Sequence, residues 1–185
     1  MKEEKTVNKI SSGVYPCYEN QFKCGATKET ATTPSELESF SVSIDNGVEE
    51  WTPFTAEGWK SALQTAKGMT ISVTGKRDIG NAGNDFVAGK AFVNGQAAYG
   101  YFCWTLPDGT TVEWDKAVYS VTNISAGDST AVGPLEFDII SNGKPRITLP
   151  ETSGSSTTGD SSTSDTGDSS GEETSGEDET EQTTE

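Results

Sequence analysis

Two acidic clusters are the first places where chemistry could occur. Asp45 with Glu49 and Glu50, and Asp108 with Glu113 and Asp115, have the composition of glycosidase carboxylate pairs. Such pairs act only in a cleft that raises the pKa of one member. Both clusters flank turn or helix-end signals, where solvated acids are expected, so no hydrolytic site is predicted. The chain contains no histidine. That excludes histidine-based triads, HExxH zinc sites and imidazole acid–base shuttles. There is no phosphate-binding glycine loop, and the acidic C-terminal segment lacks calcium-loop spacing. GNAG at residues 80–83 has the GxxG spacing of some RNA-binding loops, but little positive charge surrounds it. It reads as a loop feeding a helix. Cys17, Cys24 and Cys103 are an odd set and a poor disulfide framework. Three reduced, partly buried thiols are expected, with a Cys17–Cys24 loop as the alternative; thiolate-only metal ligation would need all three. No catalytic, cofactor or metal residue is therefore assigned, and an enzyme is not expected.

The stretch EEWTPFTAEGWKSALQTAKG at residues 49–68 poses a different question. Trp59, Ala62, Leu63 and Ala66 fall at i, i+3, i+4 and i+7, the stripe of an amphipathic helix. Thr55 is a candidate N-cap, Glu57 suits the first turn and Gly68 suits the left-handed C′ position. On this reading Trp59 and Leu63 bury against a sheet, and Trp51 pins the helix entry just before Pro53. The alternative is a stacking platform for a ligand. A second helix is predicted in NDFVAGKAFVNG, with Asn84 as cap and Asn94-Gly95 as its end.

Period-two alternation supplies the elements that must hold these segments. In FSVSI, Phe40, Val42 and Ile44 point one way and Ser41 and Ser43 the other. MTISVTG places Met69, Ile71 and Val73 opposite Thr70, Ser72 and Thr74. One apolar face and one small hydroxylated face describe an antiparallel strand wetted on one side. YFCWTLPDGTTVEW is a hairpin around Pro107-Asp108-Gly109, its second arm running on through AVYSVTN. PLEFDII is a strand with Leu135, Phe137 and Ile139 on one face. NGKP is a turn, and RITL adds a short final strand.

Composition divides the chain unevenly. All 13 Lys and Arg residues precede Pro150, whereas 11 of the 29 Asp and Glu residues follow it, in a segment otherwise made almost wholly of Ser, Thr and Gly. With no aliphatic or aromatic side chain to bury, residues 151–185 are expected to form a disordered acidic tail. Residues 1–34 form an N-terminal arm and first-strand region, and residues 35–150 a β domain that takes in part of that arm. The formal charge of −16 argues against gripping a nucleic-acid backbone. No apolar run reaches membrane-spanning length, and MKEEKTVNKISSG has no apolar signal core. The fold class from these residues is mainly β, an antiparallel sandwich or barrel-like domain with one or two flanking α-helices.

The order of the motifs resembles that of the major tail tube proteins of long-tailed bacteriophages and prophages. It is carried by EEWTPF, GKRDIGNAGNDFVAG, FCWTLPDGTTVEW and DSTAVGPLEFDIISNGKP, over roughly residues 35–147. The resemblance implies a tail-tube β-sandwich that assembles into six-membered rings stacked as a hollow conduit, first around the tape-measure protein and later around genome DNA, which passes without specific binding. It implies the chain itself, the tape-measure protein and the distal tail and tail terminator proteins as partners. The location implied is the virion tail, after assembly in the host cytoplasm. Residues 46–54 and 78–85, two polar connections containing glycine, become candidates for ring-to-ring contacts: Asn46, Glu49, Glu50, Trp51, Phe54, Arg77, Asp78, Asn81, Asn84 and Asp85. The hairpin arms and the final strand are the candidates for the lumen wall. The main rival is a surface-displayed bacterial adhesion or carbohydrate-binding β-sandwich, and a second is a minor tail component or an injectisome-like tube of the same fold.

Overall fold

A computed structural model describes residue 10 and residues 12–150. The acidic segment expected to be disordered lies outside the described residues. Among the described residues, seven strands occur in the order β1 (Gln21–Gly25), β2 (Leu37–Trp51), β3 (Ser61–Lys76), β4 (Tyr99–Thr105), β5 (Thr111–Ile124), β6 (Pro134–Ile140) and β7 (Arg146–Thr148). One α-helix, α1 (Ala82–Ala88), lies between β3 and β4 and is followed by a 3-10 turn at Gly89–Phe92. All pairings are antiparallel, in the order β1-β4-β5-β6-β3-β2, with β7 added to β5. The mainly β expectation holds.

The strands read from alternation are all present. Phe137 of β6 sits between Val73 of β3 and Val121 of β5, and Ile139 between Ile71 and Tyr119. One face therefore gathers Ile71, Val73, Tyr119, Leu135, Phe137 and Ile139, all buried. Each large apolar side chain removed from water in this way contributes about 2–3 kcal/mol. The opposite face carries Ser41, Ser43, Thr70, Ser72, Ser120 and Asp138. The Ser72 hydroxyl donates to Asp138 at 2.5 Å, and the Ser39 and Thr74 hydroxyls meet at 2.6 Å.

The sheet folds over so that side chains of its two end strands pack against each other without pairing. Phe22 of β1 lies edge-on to Phe40 of β2 at 5.0 Å, and Phe40 also reaches Trp104 of β4 at 6.0 Å. β5 makes this possible because it serves two layers. Residues 111–118 pair with β4, and residues 118–124 pair with β6. The 106–110 turn behaves as its sequence demands. Asp108 accepts from the Thr110 amide at 2.8 Å and its hydroxyl at 3.0 Å, while Gly109 takes φ 89°.

Two expectations need correction. Residues 55–68 form no α-helix. Pro53 opens a 3-10 turn at Phe54–Ala56, Glu57 and Gly58 leave it in the left-handed region, and β3 begins at Ser61. Gly68 sits mid-strand opposite Asp45 rather than at a helix end. The second helix exists, but its cap is Asn81, whose side chain accepts from the Asn84 amide at 2.9 Å. The three cysteines are free, and Cys17 is exposed rather than partly buried. Burial pushes the Cys24 thiol up to about 12.

Glu113 also departs from the solvated role expected of it. Its side chain is only 8% exposed and is held on the outer face of β5 by three partners. Lys28 donates to both oxygens at 3.0 and 3.1 Å, Arg146 Nε to Oε2 at 2.9 Å, and the Tyr101 hydroxyl to Oε1 at 3.0 Å. Burial opposes the charged carboxylate, but the hydrogen bonds from Lys28, Arg146 and Tyr101 overcome it and hold the group below the usual carboxylate range. A depressed folded-state pKa gives stability that is complete above the unfolded-state value and is lost as pH falls through the folded one. Glu113→Gln is therefore expected to cost about 1–3 kcal/mol at pH 7, and the gap to wild type should close as pH drops below about 4. Urea melts of both chains across that range provide the measurement, and a gap that stays constant would refute the assignment.

Candidate functional site

β2 and β3 pair along their whole length, from Leu37 opposite Gly75 to Trp51 opposite Ser61. β6 supports β3 only from Thr70 to Lys76. Beyond that point the two strands continue alone as a ribbon of residues 44–51 and 61–69. A two-stranded ribbon with no third strand is marginal in water by itself. Its apolar side chains are nevertheless uncovered: Trp51 is 47% exposed, Val48 55% and Leu63 59%, and on the connecting loop Trp59 is 78% exposed and Phe54 fully so. The reading that Trp59 and Leu63 pack within the chain is thus overturned, because the helix that would have buried them does not form. Asn46, Glu49 and Glu50 share this ribbon with Trp51. Glu50 pairs with Lys60 at 2.7 Å, both groups largely in water, so the pair contributes little.

The remaining sequence candidates gather at the other end of β3. Asn84 is fully buried. Its Oδ1 accepts from Arg77 Nη1 at 2.7 Å and the Asp78 amide at 3.1 Å, and its Nδ2 donates to the carbonyls of Lys76 at 2.9 Å and Ser35 at 3.3 Å. Arg77 Nη2 reaches Asp85 at 2.5 Å and, with the Gly80 amide, lowers that carboxyl's pKa. Asp78 accepts from the Ser35 hydroxyl at 2.5 Å. Gly83 of the GNAG stretch lies so close to residues 32–34 that a Cβ would sit 2.8 Å from both the Thr32 carbonyl oxygen and the Pro34 nitrogen. This network fixes the corner where β3 turns into α1, and it leaves Ile79 exposed at the surface. The structure does not bring the two candidate groups together. They lie toward opposite ends of β3, between about 30 and 50 Å of strand apart.

Two sheet edges complete the picture. Among the described residues, β2 has no strand on its outer edge, and β5 has none opposite β6 beyond Val118. The four-stranded layer of β5, β6, β3 and β2 is therefore open at both ends. Among the described residues there is no cluster of potential metal ligands and no helix long and apolar enough to cross a membrane.

No protein-family model matches the chain, and no curated protein does. Solved structures do. A chain from the tail of an empty GTA particle with C6 symmetry aligns over 75% of this chain and 100% of its own, at 17% identity and TM-score 0.58. A chain from the virion of a native gene transfer agent particle aligns over 74% and 100%, at 20% identity and TM-score 0.56. A chain from the anti-feeding prophage cap, the AFP tube terminating cap, covers 80% and 100%, at 16% identity and TM-score 0.50. The fold is therefore the one found in phage-type tails and tubes.

Proposed function

We propose that the chain is a structural tail protein, the major tube subunit, that closes into six-membered rings and stacks them as a conduit. The observation that carries this reading is the unsupported ribbon with uncovered Trp51, Phe54, Trp59 and Leu63. Such a surface is stabilised by burial against another copy. The open edges of β2 and β5 support lateral closure, since joining them around a ring removes both exposed ladders. The separation of the ribbon from the Arg77–Asn84–Asp85 corner supports axial stacking, with one end of each subunit meeting the other end of a subunit in the next ring. In that role Asn46, Glu49, Glu50, Trp51 and Phe54 are contact residues. Asn81 and Asp85, with the exposed Ile79 between Asp78 and Gly80, present the opposing surface, and Asn84 and Arg77 hold it in shape.

The lumen face is the hydroxylated side of β2, β3, β6 and the second half of β5. This replaces the first hairpin arm, β4, as a lumen candidate, because β4 lies in the other layer. A polar, net-acidic wall repels DNA and lets it slide. The tape-measure protein within the tube, and distal tail and terminator proteins at its ends, complete the assembly. Trp51→Ala is expected to reduce tube formation at least tenfold while leaving the monomer soluble, and negative-stain electron microscopy at matched concentrations provides the readout. Tubes of normal length and number from this variant would count against the proposal.

The exposed aromatics also fit a carbohydrate-binding surface module. That reading requires a monomer whose tryptophan fluorescence is quenched by oligosaccharide, and it fails if the purified chain forms rings that oligosaccharide leaves unchanged.

A further inference from the structure

The ribbon contains a register break that decides which way its apolar residues point. Gly47 faces Ala66, but the next residue, Val48, faces Gln64, so Thr65 is left without a partner in a β-bulge. The Thr65 hydroxyl turns back toward the Gly47 carbonyl at 3.4 Å. A side chain at Gly47 would bring a Cβ within 2.9 Å of the Ala66 methyl. Side chains of directly opposed residues share a face, and faces alternate along each strand. On the core side of the bulge Lys67, Met69 and Ile71 lie on the apolar face of β3. Continued alternation would place Leu63 on that face too. The bulge shifts the phase by one residue and carries Leu63 to the opposite face, beside Glu49 and Trp51.

The two distal faces differ in chemistry as a result. One carries Val48, Glu50, Ala62 and Gln64, with Val48, about half exposed, as its one large apolar side chain. Its polar groups are engaged within the ribbon, through Glu50 with Lys60 and Gln64 with Asn46. The other carries Leu63 and Trp51, both about half exposed, above the small residues Gly47, Ala66 and Gly68. It combines uncovered apolar area with a floor low enough for close approach.

We propose that the Gly47–Thr65 bulge makes the Leu63–Trp51 face the docking surface for a second copy of this chain, and leaves the Val48–Glu50 face in water. The inference rests on the assembly reading above and adds to it the direction of contact. A second copy is the fitting occupant because the ribbon is unsupported by its own domain and because a chain of this fold occurs in a six-fold symmetric tail.

Three variants of the full chain test it, each scored by the critical concentration for sedimentable tubes. Leu63→Thr should raise that concentration about tenfold or more, the factor expected for losing one buried leucine contact per interface. Ala62→Leu combined with Leu63→Thr returns the leucine to the other face and should fail equally. Val48→Thr should stay within about twofold of wild type. All four chains should melt alike, since Val48, Ala62 and Leu63 lie outside the buried core. If the double variant assembles as wild type, or Val48→Thr fails as badly as Leu63→Thr, the face assignment is overturned and the assembly reading survives. If wild type itself stays monomeric at every concentration, the assembly reading falls.

Discussion

A chain in which residues 47–66 are replaced by an Asn-Gly turn is expected to fold normally and form no stacked tubes. Asn46 and Lys67 are direct partners in the ladder, so the cut leaves a regular hairpin. Asn-Gly supplies the two positive-φ residues that a tight hairpin turn requires. None of the buried core residues falls between 47 and 66. The melting temperature should therefore stay within about 5 °C of wild type. Stacking, by contrast, loses Trp51, Phe54, Trp59 and Leu63 together, and in the proposed tube every contact between successive rings loses them at once. Light scattering over a concentration series, paired with thermal melts, separates the two effects. Tubes formed by the shortened chain would end the proposal that the ribbon is the assembly element.

The second large effect is on stability. Asn84→Ala should destabilise the domain by about 3–4 kcal/mol, which lowers its melting temperature on the order of 10 °C. Four groups lose the Asn84 side chain in one step: the Asp78 amide, the carbonyls of Lys76 and Ser35, and the Arg77 guanidinium, which keeps only the Asp78 carbonyl and Asp85. Each was removed from bulk water on folding, and leaving such a group unsatisfied costs far more than the net value of a hydrogen bond. Denaturant titration of the monomer measures the loss directly. A change smaller than about 1 kcal/mol would mean that water replaces the side chain and that the corner is not built on Asn84.

How much of this was legible depends on what constrained each residue. The strands at FSVSI, MTISVTG and PLEFDII could be read because one side of each faces a packed core, and burial on one side imposes period two. The PDG turn could be read because its φ and hydrogen-bond requirements are local. The 55–68 segment misled for a specific reason. A ribbon exposed on both sides has no core to impose alternation, and the Thr65 bulge inserts one residue between Leu63 and Ala66. Those two then share a face at a spacing of three, which is the spacing of a helix turn. Trp59 belongs to the connecting loop and completed the false stripe by coincidence. Glu113 was misjudged because its partners, Lys28 and Arg146, lie 85 and 33 residues away and converge only through the fold. Of the candidate contact residues, Trp51 and Phe54 carried a visible signal as large apolar residues in a polar stretch. Leu63 did not, since the helix reading had already placed it in the interior.

The double duty of β5 has a mechanical consequence. Its first half is bonded to β4 and β7, and its second half to β6, so a single unbroken backbone runs from one layer into the other. Prising the layers apart means bending or tearing covalent chain as well as parting apolar surfaces. In the proposed tube, a wall built from such subunits would resist delamination under pressure from its contents and yield first at the seams between copies.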